Sequence, residues 1–294
     1  MKAIILFFLV FLISPSAMSQ NSVDFEDKVN PSVVKDWVGS LFRAKAASSK
    51  TYIVKKSGGE DDLHKMKHRD VVIWIPGSSD LTKEFVAVLW FHGHWGYVPA
   101  RTFEDRVLKQ FIPLAHSRNF VIIIPEMPWS VHTRTPTKRN SKVWTKPGDF
   151  INFISQVEKL LFRHMTSRVG YATRTEKRLG KIDYRIIGHS AGGSTIKRLG
   201  ITGDLCTLNP SMVIWSDSSY GSWLDDAWNG CLKDHPDISA KVFVKKGGPP
   251  WKNAMRFFKK TRNMSSNIRL YVKGKGWSHK LIGNNIVKLS GVVD

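Results

Sequence analysis

Five consecutive residues carry the strongest chemical signal in the chain. Gly188-His189-Ser190-Ala191-Gly192 follows the apolar run Ile182, Tyr184, Ile186, Ile187 and precedes a helix predicted from Gly193. The pattern is G-x-S-x-G between a strand and a helix. A serine at so sharp a turn stands in strained backbone geometry, and its neighbours must be small for strand and helix to pack. That geometry exposes Oγ and aims the N–H of Ala191 at the place where an oxyanion would form. The chemistry predicted is nucleophilic attack by Ser190. A tight turn with an incidental serine is the bland alternative, and the flanking strand and helix argue against it.

A serine of this kind needs a sheet to hold it. The spacing of apolar residues predicts an amphipathic helix over Ser32–Ala47, with Val33, Val34, Trp37, Val38, Leu41 and Phe42 on one face. Strands are predicted at Thr51–Lys56, Asp70–Ile75, Phe85–Phe91, Phe120–Ile124, Ile182–Ile187, Ser211–Trp215, Lys241–Val244 and Ile268–Val272. Helices are predicted at Arg101–Ser117, Asp149–Met165, Gly193–Leu199, Asn253–Lys260 and Lys280–Leu289, and Gly221–His235 reads as a polar, aromatic loop. Strands alternating with helices imply a mostly parallel sheet covered on both faces. The close succession of the first three strands implies an antiparallel start. The count is eight strands, with the serine turn after the fifth.

From about Thr51 onward the chain resembles the α/β-hydrolase superfamily, most specifically in the serine turn. The resemblance implies an α/β fold with an eight-stranded, mostly parallel sheet and a small cap or none. It also implies a nucleophile, an acid and a histidine in that chain order. His279, in Lys273-Gly274-Lys275-Gly276-Trp277-Ser278-His279, stands after the last strand as the base, with His189 and His235 as weaker rivals. No carboxylate follows the seventh strand, so the acid falls to Asp217 after the sixth, with Asp225 and Asp226 as runners-up. Phe91-His92-Gly93-His94-Trp95 resembles the superfamily's H-G loop, so the second oxyanion N–H falls to His94, or to Trp95, beside Ala191. This reading calls for no metal and no organic cofactor. A metal site at His92 and His94 would need further ligands.

The 294 residues suffice for one large domain, and no repeat or linker divides them. Lys2, the apolar run Ala3–Ile13 and the small residues Ala17 and Ser19 predict a signal peptide over residues 1–19, leaving one domain over 20–294. The mature protein is thus expected to be periplasmic or secreted, with no integral membrane span. The formal net charge of +21 attracts anionic surfaces. Export excludes nucleic acid, and an anionic, polymeric component of the cell envelope is the expected partner. Cys206 and Cys231 are expected to pair in an oxidising compartment. Ligands of open α/β sheets sit at the carboxyl ends of the strands. Those ends carry Lys245, Lys246, Lys273 and Lys275, aromatic residues Tyr220, Trp223 and Trp228, and the long loop Glu126–Gly148 with Trp144 and Lys146. Trp95, Tyr220, Trp223, Lys245 and Lys246 are therefore candidate substrate contacts. The function expected is an exported serine esterase or amidase. The alternative is a non-catalytic binding protein on the same scaffold.

Overall fold

The computed structural model describes residues 39–45, 70–94, 107–125, 127, 144–168, 178–261 and 267–294. Eight strands form one sheet: β1 (Gly39–Lys45), β2 (Asp70–Pro76), β3 (Phe85–Phe91), β4 (Phe120–Pro125), β5 (Ile182–His189), β6 (Met212–Ser216), β7 (Ser239–Lys245) and β8 (Ile268–Lys273). Their order is β1-β2-β4-β3-β5-β6-β7-β8. β1 pairs antiparallel with β2, and β2 antiparallel with β4. All later pairings are parallel.

β3 (FVAVLWF) and β4 (FVIIIP) read as unbroken apolar runs because both faces are covered. Leu89, Ile186, Val213 and Val242 turn into one core layer. It is closed by α2 (Asp149–Arg168), α3 (Gly193–Thr202), α4 (Asp204–Leu208), α5 (Trp223–Ala227) and α6 (Pro249–Thr261). Val88, Trp90, Ile187 and Ile214 turn into the opposite layer, beneath α1 (Lys109–Phe111) and α7 (His279–Ser290). Alternation of period two thus separates the two layers residue by residue.

Several expectations are corrected. Residues 39–45 of the predicted Ser32–Ala47 helix form strand β1, paired along β2 from Gly39↔Pro76 to Lys45↔Asp70. An unpaired sheet edge offers a full row of backbone groups, and Gly39 and Ser40 favour a helix weakly, so the long-range pairing wins. The predicted strand Thr51–Lys56 lies outside the described residues, as does the predicted signal peptide. Within the predicted Arg101–Ser117 helix, α1 gives way to a 3₁₀ turn at Ile112–Leu114, where Pro113 removes a backbone donor. The Gly221–His235 loop is partly helical, with α5 followed by a π-turn over Trp228–Leu232. Among the described residues no helix is long and apolar enough to cross a membrane.

Candidate active site

The turn after β5 is built by close packing. A Cβ on Gly192 would lie 2.0 Å from the carbonyl oxygen of Phe91, and one on Gly193 would lie 2.5 Å from that of Ser218. A Cβ on Gly188 would meet Ile196 Cδ1 at 2.7 Å. The turn therefore fits against β3 and the loop after β6 only with glycines. Ser190, between them, is held at φ 54°, a left-handed conformation that serine adopts at a cost.

The loop after β3 closes on the other side. A Cβ on Gly93 would be 2.8 Å from Ser190 Cβ and 3.3 Å from Oγ, so this backbone packs directly on the nucleophile. His92 is buried and fixes the loop. Its Nε2 accepts from the N–H of Met127 at 2.9 Å, so Nδ1 carries the proton and donates to the carbonyl of Gly93 at 2.8 Å. Neither nitrogen of His92 is left for a metal. His94 is exposed in the turn that follows, and Trp95 lies outside the described residues.

The structure brings His279 to Asp217. Imidazole Nδ1 stands 2.7 Å from Oδ2. A carboxylate only accepts, so Nδ1 carries the hydrogen and Nε2 keeps a lone pair for base chemistry. Asp217 is almost fully buried, at 4 % exposure, and sits at φ 48°. Its second oxygen accepts from the N–H of Lys245 at 3.0 Å, and its own N–H donates to the carbonyl of Phe243 at 2.7 Å. The flanking serines are buried too. Ser218 Oγ donates to the carbonyl of Gly188, and Ser219 Oγ to that of Pro250, each at 2.8 Å. They tie the acid's loop to the nucleophile's strand and to α6.

The rivals stand elsewhere. Asp225 faces Lys260 at 3.6 Å. Asp226 pairs with Lys197 at 3.0 Å and accepts from Ser222 Oγ at 2.7 Å. His235 lies beside the Cys206–Cys231 disulfide, which the structure contains as expected. With both sulfurs in that bond, the cluster Cys206, Cys231 and His235 offers a metal only a lone imidazole.

Of the aromatic residues expected at the mouth, Tyr220 and Trp223 are half-buried and meet edge-to-face with ring centroids 5.3 Å apart. Burial pushes the phenol pKa of Tyr220 up, the nearby Asp217 charge adds to this, and the neighbouring Ser190 hydroxyl offsets part of it. Trp144 and Trp228 are corrections, since both are buried. Trp144 packs among Phe91, Phe150 and Phe153, and Trp228 against Phe257. A loop has no fixed period, so a core tryptophan such as Trp144 carries no signature there, and the π-turn that begins at Trp228 is too short to show one. Lys245, Lys246 and Lys275 are exposed, and Lys273 Nζ lies 5.0 Å over the Trp277 ring.

Two contributions were invisible in the sequence. Asp204 is buried at the start of α4 and accepts from the N–H groups of Gly148 (2.6 Å) and Phe150 (3.0 Å), capping α2 from a distant segment. The backbone of Lys245 holds the acid's second oxygen, and main-chain donors leave no mark in residue type.

No family model matches the sequence, and no curated protein resembles it in sequence. Solved structures do resemble it in shape. A cold-adapted esterase from an Arctic intertidal metagenomic library is 9% identical, with TM-score 0.50, covering 92% of this chain and 99% of that one. Oligopeptidase B from Trypanosoma brucei is 15% identical, with TM-score 0.49, covering 87% of this chain. The chain spans only 37% of that oligopeptidase. The feruloyl esterase module from Clostridium thermocellum is 12% identical, with TM-score 0.47, covering 90% and 93%. Sheet order, the serine turn after β5 and the likeness in shape to the Arctic esterase give the chain the α/β-hydrolase fold.

Proposed function

We propose that the protein is an exported serine hydrolase that cleaves an ester or amide bond through an acyl-enzyme. The observation that carries the reading is the buried Asp217 holding His279 by Nδ1, at the sheet edge where a strained Ser190 also stands. Ser190 Oγ attacks the carbonyl carbon while His279 Nε2 takes its proton. Collapse of the tetrahedral intermediate expels the alcohol or amine, to which His279 returns the proton, and water then releases the acyl group by the same route. Asp217 fixes the tautomer and stabilises the imidazolium. The N–H groups of Ala191 and His94 hold the oxyanion. Lys245 and Lys246 are exposed beside the acid's loop and favour an anionic substrate, such as an acylated envelope polymer.

A fluorophosphonate probe tests the reading. Wild-type protein should be labelled and Ser190→Ala should not. A wild-type chain that resists labelling, or a Ser190→Ala variant that labels equally, overturns the assignment.

A further inference from the structure

Ser190, Asp217 and His279 come from three different segments, and one side chain touches the surroundings of all three. His189 immediately precedes the nucleophile. It sits opposite Ser216 in the β5–β6 register, and its Nδ1 is 2.9 Å from the Ser216 carbonyl oxygen, the residue before the acid. A carbonyl only accepts, so Nδ1 carries the hydrogen. Ser216 Oγ stands 3.2 Å from the same nitrogen. The His189 ring lies against the His279 ring, with centroids 4.7 Å apart and planes 27° from parallel. It is 6 % exposed.

Helix α7 is cut to receive this ring. His279 and Gly283 are four residues apart and share one face of the helix. A Cβ on Gly283 would lie 2.6 Å from His189 Cε1, 2.8 Å from Nε2 and 2.9 Å from Nδ1. Any side chain at 283 would fill the place the ring occupies. The Gly283 carbonyl accepts from Gln110 Nε2 at 2.9 Å, and Gln110 Oε1 accepts from the N–H of Val287 at 3.1 Å. That turn of α7 is thereby held to α1 as well as to His189.

The arrangement answers a mechanical problem. The Nδ1 to Asp217 bond fixes one point of the His279 ring and one direction. It leaves rotation about that axis free, and rotation swings Nε2 away from its target. A second ring stacked on the first removes that freedom. His279 is otherwise open, its side chain 41% exposed, so face contact is a large part of what can hold it.

We propose that His189 is the positioning residue of the catalytic group: its imidazole, locked to Ser216 and seated on Gly283, sets the plane of His279. The inference rests on the serine-hydrolase reading above. Two substitutions separate its parts. His189→Asn keeps an N–H donor for the Ser216 carbonyl and removes the ring. His189→Phe keeps a ring and removes the donor. Gly283→Ala leaves the three catalytic side chains and His189 chemically intact and displaces the ring.

The test is inactivation by the fluorophosphonate probe, resolved into the maximal rate kinact and the half-saturation constant KI, with melting curves for every variant. His189→Asn and Gly283→Ala should lower kinact by roughly 10- to 100-fold with KI changed by less than about threefold, the signature of a displaced base. His189→Phe should retain a kinact at least about fivefold above that of His189→Asn while melting lower than wild type. Wild-type kinact in folded His189→Asn or in folded Gly283→Ala overturns the proposal, since a merely structural residue would change melting and leave kinact alone. Should His189→Asn fail to fold, Gly283→Ala decides. Labelling of wild type in the same experiment stands apart: its absence defeats the hydrolase reading, whereas its presence with unchanged variants defeats only the role of His189.

Discussion

Glycine means different things at two places on the same sheet edge. In the turn after β5, Gly188, Gly192 and Gly193 are glycine because there is no room: an added Cβ would meet neighbouring atoms at 2.0 to 2.7 Å. In the turns after β7 and β8, an added Cβ on Gly247, Gly274 or Gly276 would meet nothing within 4 Å. Gly247 and Gly276 are there for backbone path alone, at φ 93° and 91°. The nucleophile's geometry is thus imposed from outside, by β3 on one side and the acid's loop on the other. The lysine-bearing turns impose little on their surroundings and display charge. Substitution in the first region should disturb structure and chemistry together. Substitution in the second should alter only what solution and substrate see.

The largest effect belongs to the packed region. Asp217→Asn should reduce kcat by about 10⁴-fold, because an amide can hold the wrong tautomer of His279. Asparagine tolerates φ 48° and still offers an oxygen to the N–H of Lys245, so the fold should survive. Active-site titration beside a melting curve checks this; near-wild-type turnover would move the acid to Asp225 or Asp226. Next comes one substitution made in both regions. Gly192→Ala should cost more than about 3 kcal/mol, since the Phe91 carbonyl must move. Gly274→Ala should cost less than about 0.5 kcal/mol. Equal shifts in thermal melting would erase the distinction.

The same division explains how much could be read without a structure. The packed region was legible because its constraints act on residue type: only glycine fits beside the Phe91 carbonyl, and only a β-branched or apolar run fills a strand buried on both faces. Phe85–Phe91 and the glycines of the serine turn followed from that, whereas Asp217 and His279 were expected from the chain order that the superfamily resemblance implies. What stayed hidden acts through the backbone or over long range. β1 is a strand because β2 has an edge to fill, which residues 39–45 do not record. Asp204 caps a helix more than fifty positions earlier in the chain, at Gly148 and Phe150. Trp144 entered the core from an irregular segment and Trp228 from a short π-turn, neither long enough for a period to mark the buried side. His189 was visible as a letter in the serine motif, and its contact with His279 needed the geometry of α7.

The disulfide lies between the two extremes. It joins α4 to the π-turn after α5 across a sequence separation of 25. Reduction, or Cys206→Ser with Cys231→Ser, should destabilise the protein by about 3 kcal/mol in the chain-entropy model. Differential melting with and without reductant measures it; an unchanged midpoint would mean that this corner is held by packing alone. Tyr220→Phe should be milder, lowering kcat/KM by roughly fivefold through loss of the phenol hydroxyl that stands near Ser190. Because burial raises the phenol's pKa, the hydroxyl stays protonated past its ordinary value near 10. The wild-type to variant ratio should therefore be flat from about pH 6 to pH 9. A ratio that falls within that range would mean that the phenol ionises there.

The smallest effect should come from the open region, and it tests whether the displayed charge does anything. From Ile238 to Val293 the chain contains no aspartate or glutamate. Lys245 ends β7 and Lys246 opens the turn after it, both exposed. Each contributes to the site's framework only through its backbone: the N–H of Lys245 donates to Asp217, and that of Lys246 to the carbonyl of Lys273. Serine supplies the same N–H groups. Changing both lysines to serine therefore removes two charges and leaves the hydrogen bonds of the acid in place. For a matched pair of esters, one neutral and one carrying a carboxylate, the double variant should lose roughly threefold in kcat/KM on the anionic ester and little on the neutral one. The loss should fade as ionic strength rises from about 0.01 M to 0.15 M, because screening shortens from ~30 Å to ~8 Å. A loss equal on both esters would mean that the lysines act through structure, and the contrast between a packed edge and a displayed one would fail where it is most exposed.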